Sequence, residues 1–397
     1  MSDTLAQTAP TALLAAPEKA LPPAPEMIVQ VARDYRVSPF RQFREMVGLR
    51  FRRNRMDFNE YYTNRLFDPE MSAQDKCGFV GKKGNTRFNK KLSPIGLTKL
   101  RPFVRDKVLY GAMMQQLGFR TPETQAVVST DRGYGVLPRL ADVEGIEAFL
   151  METARYPLFV KPGEGWGSVG SALIVELDRT ARELVLSNGQ RIDLRQFAQE
   201  VLDEYGDGFI FQTAVEQHAD MTKVAGPAIG SIRVVTVYDG QKPSVLYTLW
   251  KVPSPKAMSD NYWQSGSMLA EIDKANGQVV QCRRGEGPTQ EAIETHPASG
   301  MAFADVQIPF WDEICDIAVR GHEVLPQFGV LGWDIAVTPE GPLIIECNAN
   351  PHHMLYQLAT GRGIQNPEFM PVFERVIARA KDRTAVKREQ LRKKLKK

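Results

Sequence analysis

A short segment near the C-terminus constrains the fold of this chain more than any other. Two runs rich in β-branched and apolar residues, 330–337 and 343–347, flank the tripeptide Pro339-Glu340-Gly341. Proline suits the first position of a tight turn and glycine suits a left-handed position at its end, so the pattern predicts a β-hairpin with a three-residue loop. Such a loop places Thr338 opposite Pro342. The pairs further along the hairpin follow from that first pair.

The predicted register brings acidic side chains together. Asp334 falls opposite Glu346, and Asn348 points to the same face of the hairpin. Facing carboxylates destabilise a sheet unless a positive group lies between them. Mg²⁺ binds one or two protein carboxylates and completes its shell with phosphate and water, so it suits this arrangement. A register shifted by one residue would point the acids apart, and the hairpin alone leaves both alternatives open. The spacing Asp-x11-Glu-x-Asn, followed by Pro351, favours the metal.

A second motif lies in the middle of the chain. Lys161 ends a short apolar strand pattern and is followed by glycines at 163, 165, 167 and 170. Glycine lets the backbone approach a ligand closely, so that N–H groups can surround a phosphate, and lysine supplies a positive charge for it. A simple hairpin turn is the alternative. The spacing matches neither the P-loop nor the dinucleotide fingerprint.

Length and composition limit the classes of protein to consider. A chain of 397 residues needs more than one core. The net charge of +3 is small for this length and does not favour a nucleic-acid protein. The four cysteines form no Cys-x-x-Cys pair, which favours a reducing, cytoplasmic location. No apolar run approaches the roughly 20 residues of a transmembrane helix.

The order of patterns along the chain predicts five regions. Helix and strand signals alternate from about residue 100, whereas residues 72–95, rich in Gly, Lys and Asn, indicate a loop. The regions are a disordered leader (1–25), a helical basic N-terminal region (26–95), N-terminal and central lobes with the glycine-rich loop (96–225), a C-terminal lobe with the metal site (226–380) and a basic tail (381–397).

Both ends of the folded chain are basic. Residues 41–55 contain six arginines and one glutamate, and residues 387–397 contain seven basic residues and one acidic residue. Solvated helix faces are the favoured interpretation, because surface helices commonly carry such stripes. Contact with an acidic partner, RNA or a membrane surface stays open.

Together the motifs resemble the ATP-grasp superfamily over residues of about 106–364. Within it, the pattern is most similar to the sugar-transfer-associated ATP-grasp group, which is related to α-L-glutamate ligases. The features behind this narrower resemblance are residues 231–236, Asp260-Asn261 before Gly266, Ile272-Asp273 with Gly277, and Gly332-Trp333-Asp334. The resemblance implies an α+β fold in which two α/β lobes clamp ATP, here with a helical N-terminal extension.

The resemblance also implies roles at matching positions. Lys107 and Lys161 would contact phosphates, Gly165, Gly167 and Ser168 would lie in the mobile loop over them, and Gln212 and Val215 would contact adenine. Gln212 stands where the family often has glutamate. Asp334, Glu346 and Asn348 would bind Mg²⁺, and Arg233 and Lys251 would steady the transferring phosphoryl group.

Two further sets of residues are weaker candidates. Asp260 and Asn261 face a substrate or belong to a polar turn, with neither alternative favoured. His218, His352 and His353 are placed to approach ribose, metal or substrate, although a lone histidine is more often structural.

The implied activity is that of an ATP-dependent ligase. A carboxylate would be activated as an acyl phosphate and attacked by an amine, in the synthesis of a sugar, a cell-surface polymer or a peptide-like metabolite. A small-molecule kinase and a non-catalytic nucleotide-binding protein are the alternatives. Retention of both lysines and all three predicted metal ligands disfavours the latter.

Overall fold

The computed structural model of the chain describes Leu13 and residues 21–52, 54–165, 169–254, 257–258 and 266–395. Within these ranges the strands form two seven-stranded sheets, with helices at the N-terminus, between strands and at the C-terminus. The α+β class predicted from the sequence is confirmed. None of the described helices is long and apolar enough to cross a membrane.

The N-terminal region consists of helices before the first strand. They are α1 (Ala24–Tyr35), α2 (Pro39–Phe51), α3 (Phe58–Thr63), α4 (Ala73–Gly78), α5 (Lys82–Leu92), α6 (Arg101–Arg105) and α7 (Lys107–Gln116). Helix α1 begins inside the predicted leader, most of which lies outside the described residues.

The first sheet has the strand order β2-β1-β7-β3-β4-β5-β6. Its strands are β1 (Thr124–Val128), β2 (Arg139–Leu140), β3 (Leu158–Pro162), β4 (Ala172–Asp178), β5 (Glu183–Leu186), β6 (Arg191–Asp193) and β7 (Phe209–Thr213). Helix α8 (Val143–Ala148), continued by a π-helical turn (Phe149–Thr153), and α9 (Leu194–Tyr205) pack against it through one apolar core.

The second sheet has the order β12-β11-β10-β9-β8-β13-β14. Its strands are β8 (Ile232–Val237), β9 (Ser244–Val252), β10 (Met268–Ile272), β11 (Val279–Arg284), β12 (Glu291–Ala292), β13 (Val330–Thr338) and β14 (Gly341–Asn348). The helices of this half are α10 (Ala219–Ala225), α11 (Trp311–Val324), α12 (Met354–Thr360) and α13 (Met370–Leu395), with short 3-10 turns at Gly287–Thr289 and Phe303–Asp305.

The two faces of the second sheet are covered by different helices. Alternating residues such as Trp250 and Trp333 point to the face packed on α11, whereas Tyr247 and Leu249 point to the face packed on α5, α12 and α13. This second face also carries the predicted site residues of β8, β9 and β13. The helix α13 continues without a break through residue 381, where the basic tail was predicted to begin.

The predicted loop over residues 72–95 is wrong, because α4 and α5 occupy most of it. The side chain of Ser72 caps α4 by accepting a hydrogen bond from the N–H of Asp75, 3.1 Å away. In α5 the buried positions include Gly84, Asn85 and Asn89 rather than apolar residues alone, so the helical periodicity of apolar residues is hidden. A Cβ at Gly84 would lie 1.9 Å from the carbonyl oxygen of Asn54, so glycine serves close packing here.

The hairpin is present as predicted, but its turn differs from the predicted one. Thr338 pairs with Gly341 instead of Pro342, so the loop has two residues. A β-bulge then adds one residue to β14, since Ile335 pairs with Ile344 and Asp334 pairs with Glu346. The bulge compensates for the shorter turn, and the predicted pairing of the two acids is confirmed.

Candidate active site

A cavity of about 540 Å³ lies between the two sheets. This volume is in the range typical of small-molecule sites. All the predicted site residues within the described ranges line the cavity: Lys107, Lys161, Gly165, Gln212, Val215, Arg233, Lys251, Asp334, Glu346 and Asn348. The predicted site residues Gly167, Ser168, Asp260 and Asn261 lie outside the described residues.

Asp334 is the centre of a buried ionic cluster. The guanidinium of Arg233, on the neighbouring strand β8, donates to both carboxylate oxygens of Asp334 at 2.5 and 2.8 Å. The ammonium of Lys251, on β9, donates to Oδ2 at 3.3 Å. All three side chains are less than 10% exposed. Their arrangement follows from strand order, because β9, β8 and β13 are adjacent in the sheet.

The two cations decide the protonation state of Asp334. Burial would raise its pKa, but the charges of Arg233 and Lys251 outweigh burial and hold the pKa of Asp334 well below its usual range. The carboxylate is therefore ionised at neutral pH. The repulsion from Glu346 is already offset within the protein, so the facing acids do not by themselves require a metal ion.

The donor set nonetheless fits Mg²⁺. Glu346 and Asn348 are half-buried and face the cavity together with Asp334. Asn348 donates from Nδ2 to Oε1 of Glu346 at 3.0 Å. Across the described part of the chain, no group of three or more His, Cys, Asp or Glu side chains is placed to hold a metal ion, so the amide of Asn348 completes this donor set. Two carboxylates with one amide are the hard oxygen donors that Mg²⁺ prefers.

Two lysines reach the cavity from the other side. Lys107 opens α7, whose N-terminus is capped by Asp106 through the N–H of Leu109 at 3.0 Å. The Lys107 ammonium donates to the carbonyl oxygens of Pro162 and Gly163, both at 3.3 Å. It therefore fastens the start of the glycine-rich loop.

Lys161 is the penultimate residue of β3 and precedes that loop. Its ammonium lies 5.8 Å from the centre of the Phe159 ring, and its side chain is largely buried. At the other end of the loop Gly170 has φ +78°, and a Cβ there would lie 2.5 Å from the hydroxyl oxygen of Tyr205. Only glycine fits this position, just before β4.

The segment that connects the two sheets forms the opposite end of the cavity. Gln212 is buried at the end of β7, where its Nε2 donates to Oγ1 of Thr124 at 3.2 Å. Val215 follows it and lines the cavity together with apolar side chains that include Phe159 and Leu173. An apolar slot of this kind suits a flat aromatic ring such as adenine.

Helix α5 contributes cavity residues that the sequence analysis missed. Lys82, Asn85 and Thr86 line the cavity, as do Asn350 and His352 of the segment after β14.

Hydrogen bonds fasten α5 to that segment. Oδ1 of Asn85 accepts from the N–H of His353 at 3.1 Å, and Nδ2 of Asn89 donates to the carbonyl oxygen of Pro351 at 2.9 Å. Asparagines four residues apart in a polar run were the only sequence signal for this contact.

The three candidate histidines have different surroundings. His353 is fully buried between Tyr247 and Asn89, and burial lowers its pKa to about 3, so it is a packed neutral residue. His352 lines the cavity, and burial lowers its pKa to about 4. His218 accepts a hydrogen bond from the N–H of Asp220 at 3.2 Å and thereby caps α10.

Comparisons with solved structures give distant likenesses. The D-alanine-D-alanine ligase from Coxiella burnetii is 15% identical, with 73% of this chain and 61% of that chain covered and a TM-score of 0.41. The ATP-grasp ligase PsnB, in complex with a precursor peptide and AMPPNP, is 13% identical, with 72% and 61% covered and a TM-score of 0.36. The L-amino acid ligase from Bacillus licheniformis is 15% identical, with 62% and 41% covered and a TM-score of 0.34. At such TM-scores nothing about the chemistry of this chain follows from the likenesses.

The comparison with protein families carries more weight than these structural likenesses. No curated protein matches the chain. The model of the sugar-transfer associated ATP-grasp family matches residues 83–369, a range that contains both sheets, the cavity between them and nearly all of α5. The chain therefore has the ATP-grasp fold and belongs to the sugar-transfer associated ATP-grasp family.

Proposed function

We propose that the protein is an ATP-dependent ligase that joins a carboxylate to an amine and releases ADP and phosphate. The observation that carries this proposal is the cavity between the sheets. It collects the cations Lys107 and Lys161 on one side, and Arg233 and Lys251 on the other, beside the oxygen donors of the β13–β14 hairpin. Phosphoryl transfer depends on positioning and charge neutralisation, and this cavity offers both.

The proposed reaction has two steps. An oxygen of the substrate carboxylate attacks the γ-phosphorus of ATP, a new C–O–P linkage forms, and the bond from the γ-phosphorus to ADP breaks. The amine then attacks the acyl carbon, the C–N bond forms, and phosphate leaves while the amine loses a proton. The acyl phosphate hydrolyses readily, so the site must exclude water during both steps.

The residues divide this work by their position. Lys107 and Lys161 would bind the phosphates beside the glycine-rich loop, and the segment around Val215 would hold adenine. Asp334, Glu346 and Asn348 would hold Mg²⁺, which when bound supplies charge neutralisation at the phosphate oxygens.

Arg233 would have two roles. In the structure it pairs with Asp334. With ATP and Mg²⁺ bound, the guanidinium would also contact a phosphoryl oxygen.

The test is Mg²⁺-dependent ATP turnover with pools of amino acids, amino sugars and small carboxylic acids. We expect phosphate release that requires two added substrates. Glu346→Gln should lose that activity, whereas Glu340→Gln, an exposed acid in the turn of the same hairpin, should retain it.

Three other results would contradict the proposal. Full activity of Glu346→Gln would remove the metal assignment. A phosphorylated product without phosphate release would indicate a kinase. ATP binding without turnover on any pool would indicate a nucleotide-binding protein.

A further inference from the structure

A second cavity, of about 310 Å³, lies on the outside of the N-terminal helices. It is formed by the end of α2, by α5 and by the first half of α13. Its polar lining consists mainly of cations, Arg52, Arg55, Arg87 and Lys91, around apolar side chains that include Phe88 and Ile377. No acidic side chain is part of the lining among the described residues. The cavity is thus apolar at its base and positive around it.

These four cations differ from those surface cations of the chain that pair with acidic side chains. Arg191 and Arg195 each pair with two acids. Next to the cavity, Arg50 and Lys83 share Asp57. Within the part of the chain that the structure describes, none of the four cavity cations has a carboxylate within ion-pair distance. Their positive field is therefore available to an anion from outside the protein.

Helix α2 continues the cavity as an apolar stripe. Phe40, Phe43 and Phe51 are 75%, 53% and 74% exposed, and Val47 is half-exposed between them. Their spacing places them on one side of the helix, whereas the opposite side, with Gln42, Met46 and Leu49, is buried. An amphipathic helix normally buries its aromatic residues, but α2 presents three of them to solvent.

The two features meet at one residue. Phe51 ends the stripe and also lines the cavity, so the exposed aromatic rings and the four cavity cations form one continuous surface. We name this surface the α2 face. A bilayer with anionic headgroups has both complementary parts, because phosphates lie at its surface and an apolar layer lies a few ångströms below.

We propose that the α2 face docks the protein on an anionic phospholipid membrane. Headgroup phosphates would bind at the four cavity cations, and the phenylalanines of α2 would enter the boundary between headgroups and acyl chains. A bilayer is favoured over RNA because the aromatic rings follow one helix stripe together with Val47. An apolar stripe of this kind suits insertion into an interface better than stacking on separated bases.

The first test is flotation of the full chain with vesicles of phosphatidylcholine alone or of phosphatidylcholine and phosphatidylglycerol in equal parts. We expect binding to the anionic vesicles alone, weakened by salt. The double variant Arg87→Gln/Lys91→Gln should bind roughly thirtyfold more weakly, since each cation at a membrane surface contributes about fivefold. The matched control Arg139→Gln/Lys223→Gln removes two exposed charges elsewhere and should change binding little.

A second variant separates insertion from charge. Phe40→Ser/Phe43→Ser should weaken vesicle binding at all salt concentrations, because it removes apolar contact and no charge. Circular dichroism of each variant should match that of the unmodified chain.

Several outcomes would overturn the proposal. They are equal binding to neutral vesicles, an equal loss in the control variant, and no vesicle binding by the unmodified chain. Salt-dependent binding of a single-stranded RNA that Arg87→Gln/Lys91→Gln removes, without vesicle binding, would assign the α2 face to nucleic acid. Self-association that Phe40→Ser/Phe43→Ser removes, without vesicle binding, would assign it to a second copy of the chain.

Discussion

Replacing Asp334 by asparagine tests the ionic cluster at the centre of the site. The substitution keeps the shape of the side chain and removes its charge. Arg233, which donates at 2.5 and 2.8 Å, and Lys251, which donates at 3.3 Å, would then share a buried neutral amide. Removing one partner of a buried ion pair leaves an uncompensated charge and costs about 3–5 kcal/mol of unfolding free energy.

Two further variants separate the loss of stability caused by breaking the ion pair from the other consequences of mutation. Glu346→Gln changes the same charge on the same hairpin, but Glu346 is half-buried and accepts a hydrogen bond from Asn348. We expect its loss to stay near 1 kcal/mol, the usual contribution of one hydrogen bond. The double variant Arg233→Gln/Asp334→Asn removes both charges of the pair and should be more stable than Asp334→Asn alone.

Urea unfolding followed by tryptophan fluorescence measures this directly. Trp250 and Trp333 are fully buried in the second sheet, so their emission reports on that half of the molecule. The variants are compared by the urea concentration at the midpoint of unfolding, and only where the slope of the transition is unchanged. A chain with two sheets need not unfold in one step, and a changed slope would indicate this.

Acidification gives a second measure of the same cluster. The folded pKa of Asp334 is depressed, so its stabilising contribution is present above the unfolded pKa near 3.8 and is lost as the pH falls below it. The difference in stability between the unmodified chain and Asp334→Asn should therefore narrow below about pH 4. The reasoning is refuted if Asp334→Asn is as stable as Glu346→Gln, or if the double variant is no more stable than Asp334→Asn.

Two further predictions concern buried residues that support the structure around the site. Burial lowers the pKa of His322 to about 4 while Thr236 and the carbonyl of Phe328 hold its ring. His322 should contribute about 3 kcal/mol to the loss of stability as the pH drops from about 6.5 to 4, because on this residue only the unfolded chain takes up the proton. In urea titrations the loss should be smaller by that amount in His322→Gln, while the buried His352 and His353 keep their own contributions. Gly84→Ala places a Cβ 1.9 Å from the carbonyl oxygen of Asn54 and should cost about 1–3 kcal/mol in the same assay. Gly48→Ala, inside α2 with nothing within 4 Å of the added Cβ, should be neutral or stabilising by up to about 1 kcal/mol. Equal effects of the two glycine substitutions would contradict the packing argument.

The sequence predicted the elements that local patterns determine. The β13–β14 hairpin follows from runs of β-branched and apolar residues around turn formers, and the facing acids follow from counting along it. The strand before the glycine-rich loop was similarly visible, because Lys161 ends an apolar run.

The features that could not be predicted from the sequence depend on contacts between segments that are far apart in the chain. The pairing of Arg233 with Asp334 joins residues 101 positions apart and follows from the adjacency of β8 and β13, which no local pattern specifies. Helix α5 escaped prediction because its buried side carries glycine and asparagine, which pack against residues 54 and 350–353 rather than against an apolar core. Its three cavity residues were missed for the same reason.

The β-bulge in the hairpin has a consequence for changes in chain length. It lies between the turn and the two acids, while Asp334 is fixed from the other side by its pairing with Arg233. The hairpin therefore contains one residue more than the pairing of the two acids requires. A residue inserted at Pro339-Glu340 would lengthen the turn, and a residue lost there could be recovered by straightening the bulge at Ile345. In either case the row Arg233, Asp334, Glu346 keeps its place, so indels at the tip of this hairpin need not reach the chemistry at its base.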